Sequence, residues 1–213
     1  HAVNISDEFM QLIEKCITEP TYDDSWNLID PHTNEVVRTV SARDLWQKIL
    51  EIRVATGEPY VSFIDTIYEA MPETQKKLGL NVHHSNLCTE ITLPTDEHRT
   101  AVCCLSSVNL EKFDEWQNNN LFISDLVRFL DNALTYFIEN APDSVFRAKF
   151  SAANERSIGL GAMGFHAYLQ SKGIPFEGAL AKSMNLKIFR HIKEQAVAES
   201  KRLGIKRGEA PDM

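Results

Sequence analysis

The stretch 83–104 concentrates the residue types that could do chemistry. It begins His83-His84-Ser85-Asn86-Leu87-Cys88-Thr89-Glu90-Ile91 and, past an acidic turn, ends in Cys103-Cys104. If 86–91 is extended, period-two alternation puts Asn86, Cys88 and Glu90 on one face and Leu87, Thr89 and Ile91 on the other. An amide, a thiol and a carboxylate then stand in a row, about 7 Å from one to the next. These are a hydrogen-bonding group, a redox-capable sulfur and a proton acceptor. On a buried strand such a row costs stability unless it is used or fully satisfied. The competing reading is a half-exposed strand with a chance cysteine.

Two strand-like runs, 86–94 and 100–110, flank the turn Thr95-Asp96-Glu97-His98-Arg99. Strands joined by a turn are neighbours, so Cys88 could approach Cys103 or Cys104. Adjacent strand residues face opposite ways, so only one of the pair reaches the same pocket. Alternatively both are small buried hydrophobes, the common fate of an unbridged cysteine. Zinc is a weaker reading: His83, His84, Cys88, His98, Cys103 and Cys104 cluster in sequence, but no paired knuckle with zinc spacing is present. Gly159-Leu160-Gly161-Ala162-Met163-Gly164 matches G-x-G-x-x-G literally. A dinucleotide site would need a buried apolar strand before it and an acidic strand end about 20 residues later. Residues 146–157 are too polar for that strand and 183–189 reads as helix, so the glycines point to close packing of a turn and a helix. Arg147, Lys149 and Arg156 could touch a phosphate, although a solvated basic face explains them as well.

The elements that must position these residues follow from periodicity. Phe9, Leu12, Ile13, Cys16 and Ile17 form a helical stripe over 6–18, capped by Ser6 or Asn4 and followed by Pro20. Residues 26–29 and 36–40 read as a hairpin. Ser41 with Asp44 starts a second helix carrying Leu45, Ile49 and Ile52, ended at Thr56-Gly57-Glu58-Pro59. Residues 60–68 are ambiguous between strand and helix, and 71–81 is a polar excursion. A third helix is expected over 124–139 with Ser124 as cap, a fourth over 162–172 and a long one over 178–203. Helices alternating with short apolar strands favour an α/β fold. No repeat, linker or low-complexity tract marks an internal boundary, so 1–213 is expected to be one segment.

Composition narrows the function classes. The 213 residues carry 22 Lys+Arg against 30 Asp+Glu, a net charge of −8, with 43% hydrophobic and 24% charged residues. A mean hydropathy of −0.26 is that of an ordinary globular chain. The acidic balance argues against a partner gripped through a basic surface, such as nucleic acid. No apolar run is long enough for a membrane span, and no secretory signal is expected. Four cysteines are too few for a disulfide scaffold and point to reduced thiols in the cytoplasm. The chain begins at His1 and stops in Gly208-Glu209-Ala210-Pro211-Asp212-Met213, so a fragment is expected.

Asn86-Leu87-Cys88-Thr89-Glu90 resembles the Asn-x-Cys-x-Glu finger loop of ribonucleotide reductase large (α, catalytic) subunits. Ala101-Val102-Cys103-Cys104-Leu105-Ser106-Ser107-Val108-Asn109-Leu110 is similar to that family's downstream strand, where a redox cysteine precedes Leu-Ser-x-x-Asn-Leu. Thr56-Gly57-Glu58-Pro59-Tyr60 and Arg156-Ser157-Ile158-Gly159-Leu160-Gly161 also look like family segments. The resemblance covers essentially the whole chain, and its Asn-Leu-Cys form looks more like class I enzymes than cobalamin-dependent ones. It implies part of a ten-stranded α/β barrel with a central finger loop, and reduction of ribonucleotides, expected to be diphosphates, by radical chemistry. Cys88 would be the thiyl-radical site that removes the 3′-hydrogen, Glu90 the general base on the 3′-hydroxyl and Asn86 a hydrogen-bonding group for substrate. Cys103 would be one half of the dithiol that reduces the 2′ position. Counting back from Leu105-Ser106 selects Cys103 over Cys104.

The same resemblance implies no cofactor and no metal bound directly by this chain. The radical would come from a small (β), metal-containing partner subunit, and thioredoxin or glutaredoxin would restore the dithiol. ATP- and dATP-type effectors would bind regions outside this sequence, as would the phosphate-binding segment, radical-relay tyrosines and C-terminal cysteine pair. No upstream cysteine has the context of the Cys103 partner, and Cys16 is a poor substitute. The 213-residue chain alone is therefore expected to be catalytically incompetent. Two rivals remain: a binding or structural module that kept the barrel segment without its chemistry, and a zinc-binding protein.

Overall fold

A computed structural model describes residues 2–213 as two compact units that meet in sequence at Thr95/Asp96. Each has the same plan: a pair of parallel strands joined through helices, wrapped around its own apolar core. Parallel strands need a long crossover, and here helices supply it.

In the first unit, β1 (Ala2–Ile5) lies parallel to β4 (Tyr60–Phe63), with Ala2 opposite Tyr60 and Ile5 opposite Phe63. Between them run α1 (Asp7–Thr18), the antiparallel hairpin β2 (Ser25–Ile29) and β3 (Val36–Ser41), and α2 (Ala42–Thr56). The sequence specifies these helices at both ends. Ser6 Oγ accepts the Phe9 N–H and Ser41 Oγ accepts the Asp44 N–H, so an orphan donor is satisfied at each start. Gly57, at φ +82°, closes α2 in the left-handed conformation. The apolar stripe of α1 buries Phe9 and Ile13 against Ile5, Ala42 and Ile49, with Trp26 and Trp46 edge-on to the Phe9 ring. The ambiguous stretch after Gly57 resolves into both options, β4 and then α3 (Ile64–Ala70), and the polar excursion holds a short α4 (Glu73–Lys77).

In the second unit, β5 (Leu105–Asn109) lies parallel to β6 (Gly159–Met163), Leu105 opposite Gly159. Their crossover holds α5 (Phe113–Trp116), α6 (Phe122–Asn140) and α7 (Phe146–Glu155); α8 (Phe165–Ser171) and α9 (Ala179–Arg207) follow β6. The core gathers Val108, Leu110, Phe113, Trp116, Ile123, Tyr168, Ile188 and Ile192. Charged side chains also tie α6 to α9: Arg128 of α6 pairs with the buried Glu199 at 3.2 Å, and Arg202 holds the same carboxylate. Hydrogen bonds from Arg202 and Arg128 keep Glu199 below the usual carboxylate range despite its burial.

Four expectations need correction. The run 86–94 is a loop, and the second strand-like run is a strand only over Leu105–Asn109. Ser124 lies inside α6, where its hydroxyl donates to the Leu121 and Asn120 carbonyls instead of capping. The expected helix at 162–172 begins only at Phe165. Gly159-Leu160-Gly161 is a strand, and Gly164, at φ +78°, makes the turn into α8. Finally, 146–155, to which the sequence assigned no element, is helix α7, and it carries Arg147 and Lys149.

Candidate active site

The loop that carries the first three candidates is closed at its base. The Thr95 N–H donates to the Asn81 carbonyl at 3.2 Å, and Val82 and Pro94, the residues just inside that bond, are buried. Asn4, on β1, donates its side-chain N–H to the His83 carbonyl at 2.7 Å, tying one arm to the strand pair. The tip is a turn. The Thr89 N–H donates to the Asn86 carbonyl at 3.1 Å and the Asn86 N–H to the Ile91 carbonyl at 3.2 Å. Thr89 completes the reversal at φ +69°. A β-branched residue in the left-handed region is costly, and such strain persists where surrounding bonds over-determine it.

The turn brings Asn86 and Glu90 together. Asn86 Oδ1 accepts the Ile91 N–H at 3.1 Å while Asn86 Nδ2 donates to Glu90 Oε1 at 2.9 Å. One carboxamide thereby closes the loop and orients the carboxylate. Cys88 occupies the apex between them in sequence, with Leu87 beside it, and both are exposed. An extended strand would have spread the trio along one face. The turn instead places the amide against the carboxylate and leaves the thiol exposed between them in sequence.

The second candidate thiol lies where the chain enters β5. Cys103 is exposed and Cys104 is half-buried. Cys104 Sγ donates to the Leu130 carbonyl of α6 at 3.5 Å, and burial, together with the Asp131 carboxylate, pushes that thiol up from its ordinary value. The four cysteines are unbridged. Cys104 also begins the strand pairing, because its carbonyl accepts the Gly159 N–H at 2.9 Å. The glycines make this close approach possible. A Cβ at Gly159 would stand 2.4 Å from the Leu105 side chain, and one at Gly161 would stand 3.1 Å from Ser107 Oγ.

Two of the basic residues before that strand, Lys149 and Arg156, are taken up by intramolecular partners. Arg156 binds Asp131 through Nε at 2.8 Å and Thr135 Oγ1 at 2.8 Å, and Arg207 binds the other oxygen of Asp131. Lys149 donates to the Ala141 carbonyl at 3.0 Å. Among the described residues no three His, Cys, Asp or Glu side chains converge as a metal-ligand set. Sequence reasoning passed over a buried ionic cluster beside the Cys103 segment, formed by Arg99, Glu155 and Asp212. Arg99 reads as one member of a charged turn, and nothing in the spacing links it to residues more than fifty positions away.

Helical crossovers between parallel strands, with a polar loop and a cysteine-bearing strand entry, make this a mixed α/β segment. The family model for the ribonucleotide reductase barrel domain matches residues 1–213, and the chain belongs to that family. It is 52% identical over 187 residues to the ribonucleoside-diphosphate reductase large subunit of Invertebrate iridescent virus 3, covering 88% of this chain and 30% of that protein. It is 30% identical over 227 residues to the corresponding large subunit of Trypanosoma brucei brucei, covering 96% of this chain and 26% of that one. Its fold is similar to that of the class Id ribonucleotide reductase alpha subunit of Actinobacillus ureae, with a TM-score of 0.82 at 33% identity over 99% of this chain and 36% of that chain. The chain thus spans between about a quarter and a third of the length of these large subunits. No helix among the described residues is long and apolar enough to cross a membrane.

Proposed function

We propose that this chain forms the part of a large subunit that carries the radical thiol and one reducing thiol for the reduction of ribonucleoside diphosphates. Cys88, as a thiyl radical generated through a small metal-containing partner subunit, takes the 3′-hydrogen atom, forming an S–H bond and leaving a radical at C3′. Glu90 accepts the 3′-hydroxyl proton, and the 2′-hydroxyl departs as water with a proton from the dithiol. Cys103 and a second thiol outside this chain give C2′ a hydrogen atom and the 3′-keto intermediate one electron, becoming a disulfide, while Glu90 returns its proton to the 3′ oxygen. The 3′-hydrogen then returns from Cys88, which is left as the thiyl radical. Thioredoxin or glutaredoxin then reduces the disulfide, in the cytoplasm, and ATP- or dATP-type effectors act through regions outside this chain.

The observation that carries the reading is the Asn86–Glu90 hydrogen bond at the tip of a loop whose apex is Cys88. A carboxylate held by an amide is oriented before substrate arrives, and positioning of that kind is where most of an active site's advantage comes from. Cys103 is exposed and Cys104 half-buried, and that difference in access supports Cys103 as the redox thiol. The test is Cys88→Ser in a holoenzyme carrying this chain. Deoxynucleotide formation is expected to vanish while nucleotide binding persists. Turnover retained by Cys88→Ser would overturn the reading and favour a module without chemistry.

A further inference from the structure

Arg99 is a charged side chain only 9% exposed, four residues before Cys103. Its guanidinium donates to Asp212 Oδ2 at 2.6 Å and to Glu155 Oε1 at 3.4 Å, and lies over the Phe150 ring at 5.0 Å. Asp96 approaches from its own turn, 3.7 Å from Nε. Glu155 ends α7 and is 3% exposed; Asp212 is anchored beside it, its N–H donating to the Asn154 carbonyl at 3.0 Å. Two buried carboxylates thus share one guanidinium. The stretch 100–103 lies outside both strands of the sheet, and at its far end Cys104 is fixed by Gly159. The segment that carries Cys103 is held at one end by the sheet and at the other by this arginine.

We propose that Arg99 is a positioning residue for the Cys103 thiol, its clamp to Glu155 and Asp212 fixing where the segment 100–103 runs. The inference rests on the assignment of Cys103 as a reducing thiol. The clamp also carries a pH dependence. Burial, opposed by Arg99 and reinforced by Asp212, pushes Glu155 up to about 7. A carboxyl whose folded value is raised stabilises the fold below its unfolded value, near 4.5, and that contribution is lost as pH rises through about 7. Above that point a second carboxylate is ionised in the cluster, against its own burial and the neighbouring Asp212, and the cluster contributes less to holding the segment. Glu155→Gln keeps a hydrogen-bonding side chain of the same shape and removes the titration.

The experiment uses the holoenzyme, with amide hydrogen exchange over 100–104 beside steady-state kinetics. Arg99→Gln is expected to speed exchange there about 10-fold, as local opening requires. It should lower kcat about 10- to 100-fold, the cost of a misplaced reacting group, and leave KM within about twofold. Arg99→Lys should recover part of kcat, because a lysine keeps the charge but lacks the fork that serves two carboxylates. Wild-type kcat is expected to fall above about pH 7, and in Glu155→Gln that fall should disappear. Unchanged exchange in Arg99→Gln, or faster exchange with unchanged kcat, overturns the inference. Should Arg99→Gln fail to fold, a wild-type pH profile in Glu155→Gln overturns it instead. Turnover retained by Cys103→Ser overturns the thiol assignment and the inference with it. Unchanged exchange beside an inactive Cys103→Ser overturns the inference alone.

Discussion

Asn86 makes its two side-chain hydrogen bonds in opposite senses, accepting from the Ile91 amide and donating to Glu90. That division separates two roles that a substitution at Glu90 can distinguish. In Glu90→Gln the side-chain oxygen still accepts from Asn86 Nδ2, so the turn and the apex position of Cys88 persist, but the group can no longer take a proton at neutral pH. A positioned general base is worth typically about 10²- to 10⁴-fold, and kcat is expected to fall within that range. The KM for nucleotide should move far less, since the loss is confined to the transition state. Steady-state kinetics on purified holoenzyme check this, and a kcat within about twofold of wild type would remove Glu90 from the base role. Thr89 explains why the trio could be seen in the sequence while its geometry could not. Alternation assumes that every residue is extended, and one residue at φ +69° turns a spread row into a loop apex.

At the scale of elements, what was legible is what local rules decide. Helices α1 and α2 announce themselves through their stripes and through Ser6 and Ser41, and the hairpin through two short apolar runs around a polar turn. Strand β6 was hidden because its glycines are chosen by the neighbouring strand and not by propensity. Gly159 and Gly161 lie close against Leu105 and Ser107, a tertiary packing that resembles a nucleotide motif on paper. Helix α7 was hidden for a related reason, since its buried face holds Ser151, Ala152 and Glu155, hardly an apolar stripe.

The glycines of that strand and turn also differ in what they would tolerate. Gly164 sits at φ +78°, and a Cβ there would stand 2.6 Å from Asn109 Oδ1 and 3.3 Å from the Glu111 nitrogen that the same oxygen caps. At Gly159 the added carbon meets only the end of a half-exposed leucine that can rotate away. Gly164→Ala should therefore destabilise by about 2 kcal/mol, adding backbone strain to a disturbed cap. Gly159→Ala should cost less than about 1 kcal/mol. Chemical denaturation of the two variants side by side is the check, and equal costs would mean that the turn into α8 does not need its left-handed residue.

At the scale of the whole molecule, the described residues leave large apolar side chains exposed. Between α1 and α2 lies an open groove of about 600 Å³ lined by Ile13, Ile17, Trp46, Leu50 and Val54 among others. Ile17 is 74% exposed and Val54 89% exposed. Helices of a soluble domain normally turn such residues toward a neighbour, and contiguous apolar patches of this kind are uncommon on isolated monomers. The 213-residue chain on its own is thus expected to bind a hydrophobic fluorescent dye through this groove. Replacing both residues in Ile17→Lys/Val54→Lys should lower the dye signal by roughly half, because a charged head group on each wall removes the continuous apolar strip. Both positions lie in the last turns of their helices, where a lysine interacts favourably with the helix dipole, so the helical circular dichroism should stay unchanged. A dye signal equal to that of the unaltered chain would place its apolar surface elsewhere, on the α6 and α7 faces that expose Phe129, Tyr136 and Phe146.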